Sequence, residues 1–143
     1  MKPQLSVVAR EYNDSIEAQF KMVGETVDRA QMYLEKNNLD EGLIALCSMV
    51  ITEAINNIIE HSYSMSVGMV DLNIHILDRQ LVFTFIDSGL PAPKNRFEGS
   101  RYMPNPEDLP ESGWGLALIE TIVDDVNYRR VNETNELALA INL

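Results

Sequence analysis

The sequence predicts an α+β domain: a two-layer α/β sandwich with helices packed on one face of a mixed, mostly antiparallel sheet. Helical periodicity fills the first half of the chain, and period-two alternation begins near residue 69. Helices that precede a set of strands are typical of this layered arrangement. A length of 143 residues suits a single domain, so we expect residues 1–143 to fold as one unit.

The first half is expected to contain a short strand and two helices. Residues 5–12 are strand-like, and apolar residues that recur at helical spacing from Ile16 to Leu34 predict helix one. A turn follows in which Asp40 is the expected N-cap. The long apolar segment from residue 43 to about residue 62 predicts helix two.

The second half is expected to be mainly strands. Apolar residues alternate on both sides of the short polar segment "DRQ", so residues 69–87 predict a β-hairpin. Residues 88–113 contain five of the six prolines and form an interior loop of a length that usually indicates function. A helix at about 115–123 and strands near 125–131 and 137–143 are expected to complete the domain.

The composition limits the partners and the compartment. Asp and Glu number 22 against 11 Lys and Arg, and the resulting net charge of −11 would be repelled by a phosphate backbone, so we expect no nucleic-acid partner. The single cysteine, Cys47, lies in an apolar stretch and suits a reducing compartment. Residues 1–14 lack the apolar core of a signal peptide, and the apolar run at 43–51 is too short to span a bilayer. We therefore expect a cytoplasmic protein without a membrane partner.

A polar stripe interrupts the second predicted helix. Glu53, Asn57 and His61 are spaced i, i+4 and i+8, which places them along one face. Such a stripe is more often the solvated side of an amphipathic helix than a binding site. The stripe alone therefore does not specify a function.

Two glycine-containing motifs follow. "DSGLP" places Asp87 and Gly89 where a predicted strand ends, and a glycine there allows a close backbone approach to a ligand. "SGWGLALIE" places Gly113 and Gly115 at the start of a helix, where backbone N–H groups can bind phosphate. Each motif alone is also common turn or hinge chemistry.

In this order, the three motifs resemble those of the GHKL ATPase superfamily. "TEAINNIIEHSY" is similar to its N box, "DSGLP" to its first glycine box and "SGWGLALIETIVDDV" to its second. Within the superfamily, the sequence is most similar to the stand-alone anti-sigma factor serine kinases of bacterial partner switching. One departure is Glu133, which occupies the position before the last strand where the family often has glycine.

The resemblance implies a role for each matching residue. Asn57 matches the asparagine that holds Mg²⁺ against the nucleotide phosphates, and Glu53 matches the general base. Asp87 matches the acceptor for the adenine amino group, and Gly89 lies beside it. Gly113 and Gly115 match the hinge that lets a lid close over the phosphates. These two glycines, with Asn57, Asp87 and Gly89, are the residues expected to bind ATP or ADP.

The resemblance therefore implies a serine protein kinase that uses Mg-ATP to phosphorylate an anti-sigma factor antagonist, binds a sigma factor and forms a homodimer. An alternative is a nucleotide-binding protein-interaction switch without kinase activity, although such a switch would not need the base Glu53. A third possibility is the catalytic domain of a sensor histidine kinase. His61 lies in the N box and His75 in a strand, so neither suits the phospho-accepting histidine that such a kinase requires.

Overall fold

A computed structural model describes residues 10–93 and 113–143 of the chain. The described elements are five strands of one sheet, three α-helices and one π-helical turn. In chain order they are β1 (Arg10–Glu17), α1 (Phe20–Lys36), α2 (Glu41–Asn57), a π-helical turn (Ile58–Ser62), β2 (Met69–Ile76), β3 (Gln80–Asp87), α3 (Gly113–Ile122), β4 (Asp125–Val131) and β5 (Thr134–Asn142).

The first strand is displaced from its predicted position. Most of the predicted segment 5–12 lies outside the described residues, and β1 continues to Glu17. Ile16 was wrongly assigned to helix one: it lies in β1, 4% exposed, and pairs with Val70 of β2. Pairing along β2 therefore outweighs the helical spacing that links Ile16 to the residues of α1.

Helix α2 begins at its predicted cap. The side chain of Asp40 accepts hydrogen bonds from the backbone N–H groups of Gly42 at 3.0 Å and Leu43 at 3.2 Å. These bonds satisfy two of the donors that a helix start leaves without intrahelical partners. Further along, Cys47 is fully buried, and this burial raises the pKa of its thiol to about 12.

Helix α2 runs directly into the π-helical turn. Together they form a 22-residue helix, Glu41–Ser62, with a mean hydropathy of 1.7, which is long and apolar enough by length and composition to cross a membrane. The prediction from sequence considered only the run at 43–51 and so underestimated this length. In the fold the helix packs in the hydrophobic core, and 44% of its apolar window is buried.

The five strands of the described residues form one sheet in the order β1-β2-β3-β5-β4, and every neighbouring pair is antiparallel. Strand β5 lies between β3 and β4, so β3 and β4 run in the same direction. The chain reaches β4 from β3 through α3, which therefore crosses over β5. The α+β class is confirmed.

The core lies between one face of the sheet and the helices. Buried and half-buried residues alternate along β3, as expected for a strand with one face against the core. Phe83 and Phe85 from this face are fully buried in one cluster with Ile51 and Ile55 of α2 and Ile119 of α3. The predicted packing of helices on one face of the sheet agrees with this cluster.

The turn between β4 and β5 has an unusual backbone. Asn132 and Glu133 have φ angles of 50° and 66°, which is the left-handed region. A two-residue hairpin turn with both angles positive suits the twist of antiparallel strands and favours glycine. The glycine that the family often has at this position would adopt such a backbone without strain. Glu133 adopts it with strain, because its side chain has a Cβ.

Candidate functional site

A cavity of about 270 Å³ opens between the end of the long helix and the sheet. This volume is near the lower end of the usual range of small-molecule sites, about 300–1,000 Å³. The lining is mostly apolar with a few polar groups and comes from α2, the π turn, the segment after β3, α3 and the β4–β5 hairpin: Ala54, Asn57, Ile58, His61, Ser62, Asp87, Leu90, Pro91, Ala92, Pro93, Ile119, Tyr128, Asn135 and Leu137.

The helical wall of the cavity includes the change from α to π geometry. Asn57 is the last residue of α2, and the following turn has the wider i→i+5 pattern, with the N–H of Tyr63 donating to Ile58 at 3.0 Å. Insertions of this kind are frequent at functional sites. Asn57 and His61, which the sequence placed on one face, both line the cavity.

Tyr63 fastens this end of the helix to the sheet. Its hydroxyl donates to the carbonyl of Met69 at 2.7 Å and accepts from the N–H of Ser88 at 2.9 Å, so it joins the starts of β2 and of the segment after β3. Gly68 leaves room for the ring, because a Cβ at this glycine would lie 2.2 Å from a ring carbon of Tyr63. The helical wall is therefore held in register with the strand that carries Asp87.

Asp87 forms the sheet side of the cavity and is only 4% exposed. Its Oδ1 atom accepts hydrogen bonds from the N–H of Gly89 and from Nδ2 of Asn135, both at 2.8 Å. Within residues 10–93 and 113–143, its Oδ2 atom makes no hydrogen bond. Asp87 therefore has one carboxylate oxygen held by the protein and one available as an acceptor.

Asn135 is the main site residue that sequence reasoning missed. It is 3% exposed, faces Asp87 across the β3–β5 pair and also donates from Nδ2 to the carbonyl of Leu90 at 2.9 Å. Its Oδ1 atom accepts from the hydroxyl of Tyr128 at 2.6 Å and from Nη1 of Arg130 at 3.0 Å. A polar residue near the start of a strand is a weak signal unless the partner strand is known.

The same hairpin also holds the segment that leaves β3. The hydroxyl of Tyr128 accepts from the N–H of Ala92 at 2.9 Å, and Nη1 of Arg130 donates to the carbonyl of Gly89 at 2.7 Å. The N–H of Leu90 donates to the carbonyl of Ser62 at 2.7 Å. Side chains from β4 and backbone from the π turn thus fix residues 89–92 along the edge of the cavity.

The structure explains the glycine at position 89 differently from the sequence analysis, which suggested a close approach to a ligand. A Cβ there would lie 2.3 Å from the carbonyl oxygen of Ser62, and no described glycine has a positive φ angle. Gly89 thus permits a close approach of two protein backbones. It is not among the described residues that line the cavity.

The remaining predicted residues lie around the cavity. Glu53 is half-buried on α2, one helical turn before Asn57, and is not among the described lining residues. Gly113 and Gly115 lie in the first turn of α3, which begins two residues earlier than predicted. Most of the predicted loop at 88–113 lies outside the described residues.

The described residues provide no all-protein metal cage, because residues 10–93 and 113–143 contain no group of three or more His, Cys, Asp or Glu side chains suited to a metal. Asn57 supplies one side-chain oxygen to the cavity. Mg²⁺ is commonly held by one or two protein ligands together with substrate phosphates and water. The arrangement therefore fits a metal that arrives with a phosphorylated ligand.

Comparison with known proteins places this cavity in a family context. The chain matches the family model of the histidine kinase-like ATPase domain over residues 16–141. This region includes every described residue that lines the cavity. The name of this family describes an ATPase domain.

Individual relatives are similar over a shorter region. The serine-protein kinases RsbW of Bacillus thuringiensis (strain Al Hakam), Bacillus cereus (strain 03BB102) and Bacillus anthracis are each 33% identical over 82 residues, which is 54% of this chain and 51% of the relative. The chain thus spans about half the length of the curated relatives it matches.

Proposed function

The chain belongs to the histidine kinase-like ATPase domain family, and on that premise we propose that it is a serine protein kinase that uses Mg-ATP. Its substrate would be an anti-sigma factor antagonist, and in another state it would bind a sigma factor. The observation that carries this proposal is one cavity lined by both Asn57 and Asp87. These are the residues that resemble the family's metal-holding and adenine-binding groups.

The lining of the cavity supports an adenine ring. Oδ2 of Asp87 is an available acceptor, and the amino group of adenine is a donor. Ile58, Ile119 and Leu137 provide apolar surface around it. A flat base can therefore be buried against aliphatic side chains while its amino group is bound by a carboxylate.

Asn57 suits the phosphate end of the nucleotide. Its amide oxygen is a hard ligand, and Asn57 would hold Mg²⁺ together with the phosphate oxygens. When bound, the metal would neutralise charge on the phosphates during transfer. Because the chain carries a net charge of −11, this neutralisation has particular value for binding a polyanion.

Glu53 would act as the general base. In the proposed step, its carboxylate takes the proton from a serine hydroxyl, the serine oxygen forms a bond to the γ-phosphorus, and the bond to the ADP oxygen breaks. Glu53 precedes Asn57 by one helical turn, so the two side chains project on the same side of α2. The base would thus lie near the transferred group.

The proposed partners come from the resemblance and from the name of the relatives, serine-protein kinase RsbW. That name supports a protein serine as the acceptor. We further propose that the protein acts in the cytoplasm without a membrane partner and forms a homodimer, as the resemblance implies. Its net charge of −11 argues against a nucleic-acid partner.

A second candidate function is a nucleotide-binding switch that does not transfer phosphate. One observation favours it: Glu53 is absent from the described lining of the cavity, whereas Asn57 and Asp87 are present. In such a switch, nucleotide would change the affinity for a partner protein without a chemical step.

Transfer of labelled γ-phosphate from Mg-ATP to proteins in a lysate of the source cells would separate the two functions. We expect an acid-stable phosphoserine on a small protein with the wild type, and its loss in Glu53→Gln and Asn57→Ala. Glu41→Gln, at the exposed start of the same helix, is the matched control and should retain transfer. Nucleotide binding without transfer in the wild type would favour the switch.

A further inference from the structure

The amide of Asn135 has every hydrogen-bonding position occupied by the protein. Its nitrogen donates twice, to Oδ1 of Asp87 and to the carbonyl of Leu90. Its oxygen accepts twice, from the hydroxyl of Tyr128 and from the guanidinium of Arg130. An asparagine amide has two donor hydrogens and two acceptor lone pairs, so Asn135 has none left for a ligand.

These four bonds also determine which way the amide points. In the reverse orientation, the amide oxygen would face the carboxylate of Asp87, and the amide nitrogen would face the donor nitrogen of Arg130. Both contacts would be repulsive, because each would bring together two groups of the same kind. Tyr128 and Arg130 therefore fix the direction in which Asn135 presents its donors.

The fixed amide restricts Asp87 in turn. Oδ1 of Asp87 receives two donors, from Asn135 and Gly89, whereas Oδ2 receives none from the described residues. The carboxylate cannot rotate without breaking a buried hydrogen bond. A ligand in the cavity thus meets one acceptor oxygen of Asp87, held at a fixed position.

We propose that Asn135 is a positioning residue that sets the base selectivity of the cavity through Asp87, and that Tyr128 and Arg130 keep its amide in the required orientation. This inference rests on the proposed nucleotide-binding function. Adenine carries an amino donor at the position where guanine carries a carbonyl acceptor. A fixed acceptor oxygen attracts the first group and repels the second, whereas a carboxylate free to rotate would discriminate less.

The test is the affinity of the full chain for ADP and for GDP in the presence of Mg²⁺, measured by titration calorimetry. The wild type should prefer ADP. Asn135→Ala removes the donor to Asp87, so the ratio of ADP affinity to GDP affinity should fall by about tenfold, as expected for the loss of a hydrogen bond to a charged group.

Tyr128→Phe is a gentler variant that tests the same chain of contacts. It removes only a hydroxyl, and we expect an about threefold to tenfold loss of ADP affinity with a smaller fall in the ADP-to-GDP ratio. The matched control is Tyr33→Phe, because the hydroxyl of Tyr33 makes no hydrogen bond within the described residues and lies outside the cavity lining. This control should change neither affinity.

The outcomes separate the inference from the function on which it rests. Equal losses of ADP and GDP affinity in Asn135→Ala, or unchanged binding in Tyr128→Phe, would overturn the positioning role while leaving nucleotide binding intact. A wild type that binds neither nucleotide would overturn both. Thermal unfolding without nucleotide identifies a variant that does not fold, and in that case Tyr128→Phe decides the question.

Discussion

Replacement of Gly89 by alanine tests how tightly the segment after β3 packs against the long helix. The added Cβ would lie 2.3 Å from the carbonyl oxygen of Ser62 and 2.5 Å from its carbonyl carbon, far inside ordinary van der Waals contact. These atoms are backbone at the end of the π turn, so they cannot move aside as a flexible side chain would. The segment that carries Gly89 must shift instead.

The expected cost combines two effects. Overpacking costs about 1–3 kcal/mol, and disruption of the 2.7 Å bond between the N–H of Leu90 and the carbonyl of Ser62 adds about 1 kcal/mol. We therefore expect Gly89→Ala to lower the free energy of unfolding by about 2–4 kcal/mol. For a chain of this size, the midpoint temperature of thermal unfolding should fall by about 5–15 °C. ADP affinity should fall too, because Gly89 also donates to Asp87.

Gly24→Ala is the matched control for this experiment. Gly24 lies within α1, and a Cβ there would meet nothing within 4 Å. Alanine in a helix interior is favoured over glycine by about 0.5–1 kcal/mol, so this variant should be more stable than the wild type. Thermal unfolding followed by circular dichroism measures both variants. An unchanged midpoint for Gly89→Ala would refute the proposed contact with Ser62.

Two further predictions concern positions outside the cavity. Glu133→Gly should raise the free energy of unfolding by about 1 kcal/mol, because the φ angle of 66° strains any residue with a Cβ. Urea unfolding measures this change, and a lower free energy of unfolding in the variant would contradict the prediction. The pKa of Cys47, raised by burial from 9.0 to about 12, makes its thiol unreactive in the folded protein, so alkylation at pH 8 should require unfolding. Because the folded state favours the neutral thiol, Cys47 contributes stability that is present below pH 9 and is lost as the pH rises toward 12. Cys47→Ala should therefore weaken the dependence of the free energy of unfolding on pH in this range.

Local chemistry explains the parts of the fold that the sequence predicted well. The cap at Asp40 depends on residues within three positions of it, and the hairpin of β2 and β3 depends on alternation and a short turn. Ile16 shows where such reasoning fails. Its spacing suited α1, but pairing with Val70, far along the chain, placed it in β1.

The residues of the candidate site also differ in whether the local sequence can predict them. Asn57 and Asp87 were predicted from motifs, and the fold brings both to one cavity. Asn135 was not predicted, because it contacts Asp87 only through the pairing of β3 with β5, across 48 positions of sequence. The spacing of Glu53 on α2 was evident, but helical spacing alone does not determine whether a side chain reaches the cavity.

The measurement that tests the central claim most directly is the affinity for Mg-ADP of the wild type and of Asp87→Asn. An asparagine can keep the acceptor for Gly89 and Asn135, but it replaces the available acceptor Oδ2 with a donor nitrogen. We predict that the wild type binds Mg-ADP, that Asp87→Asn binds it about 10-fold to 100-fold more weakly, and that Asp71→Asn, at an exposed position on β2, binds normally. Equal affinities for the wild type and Asp87→Asn, or no binding by the wild type, would contradict the assignment of this cavity to an adenine nucleotide.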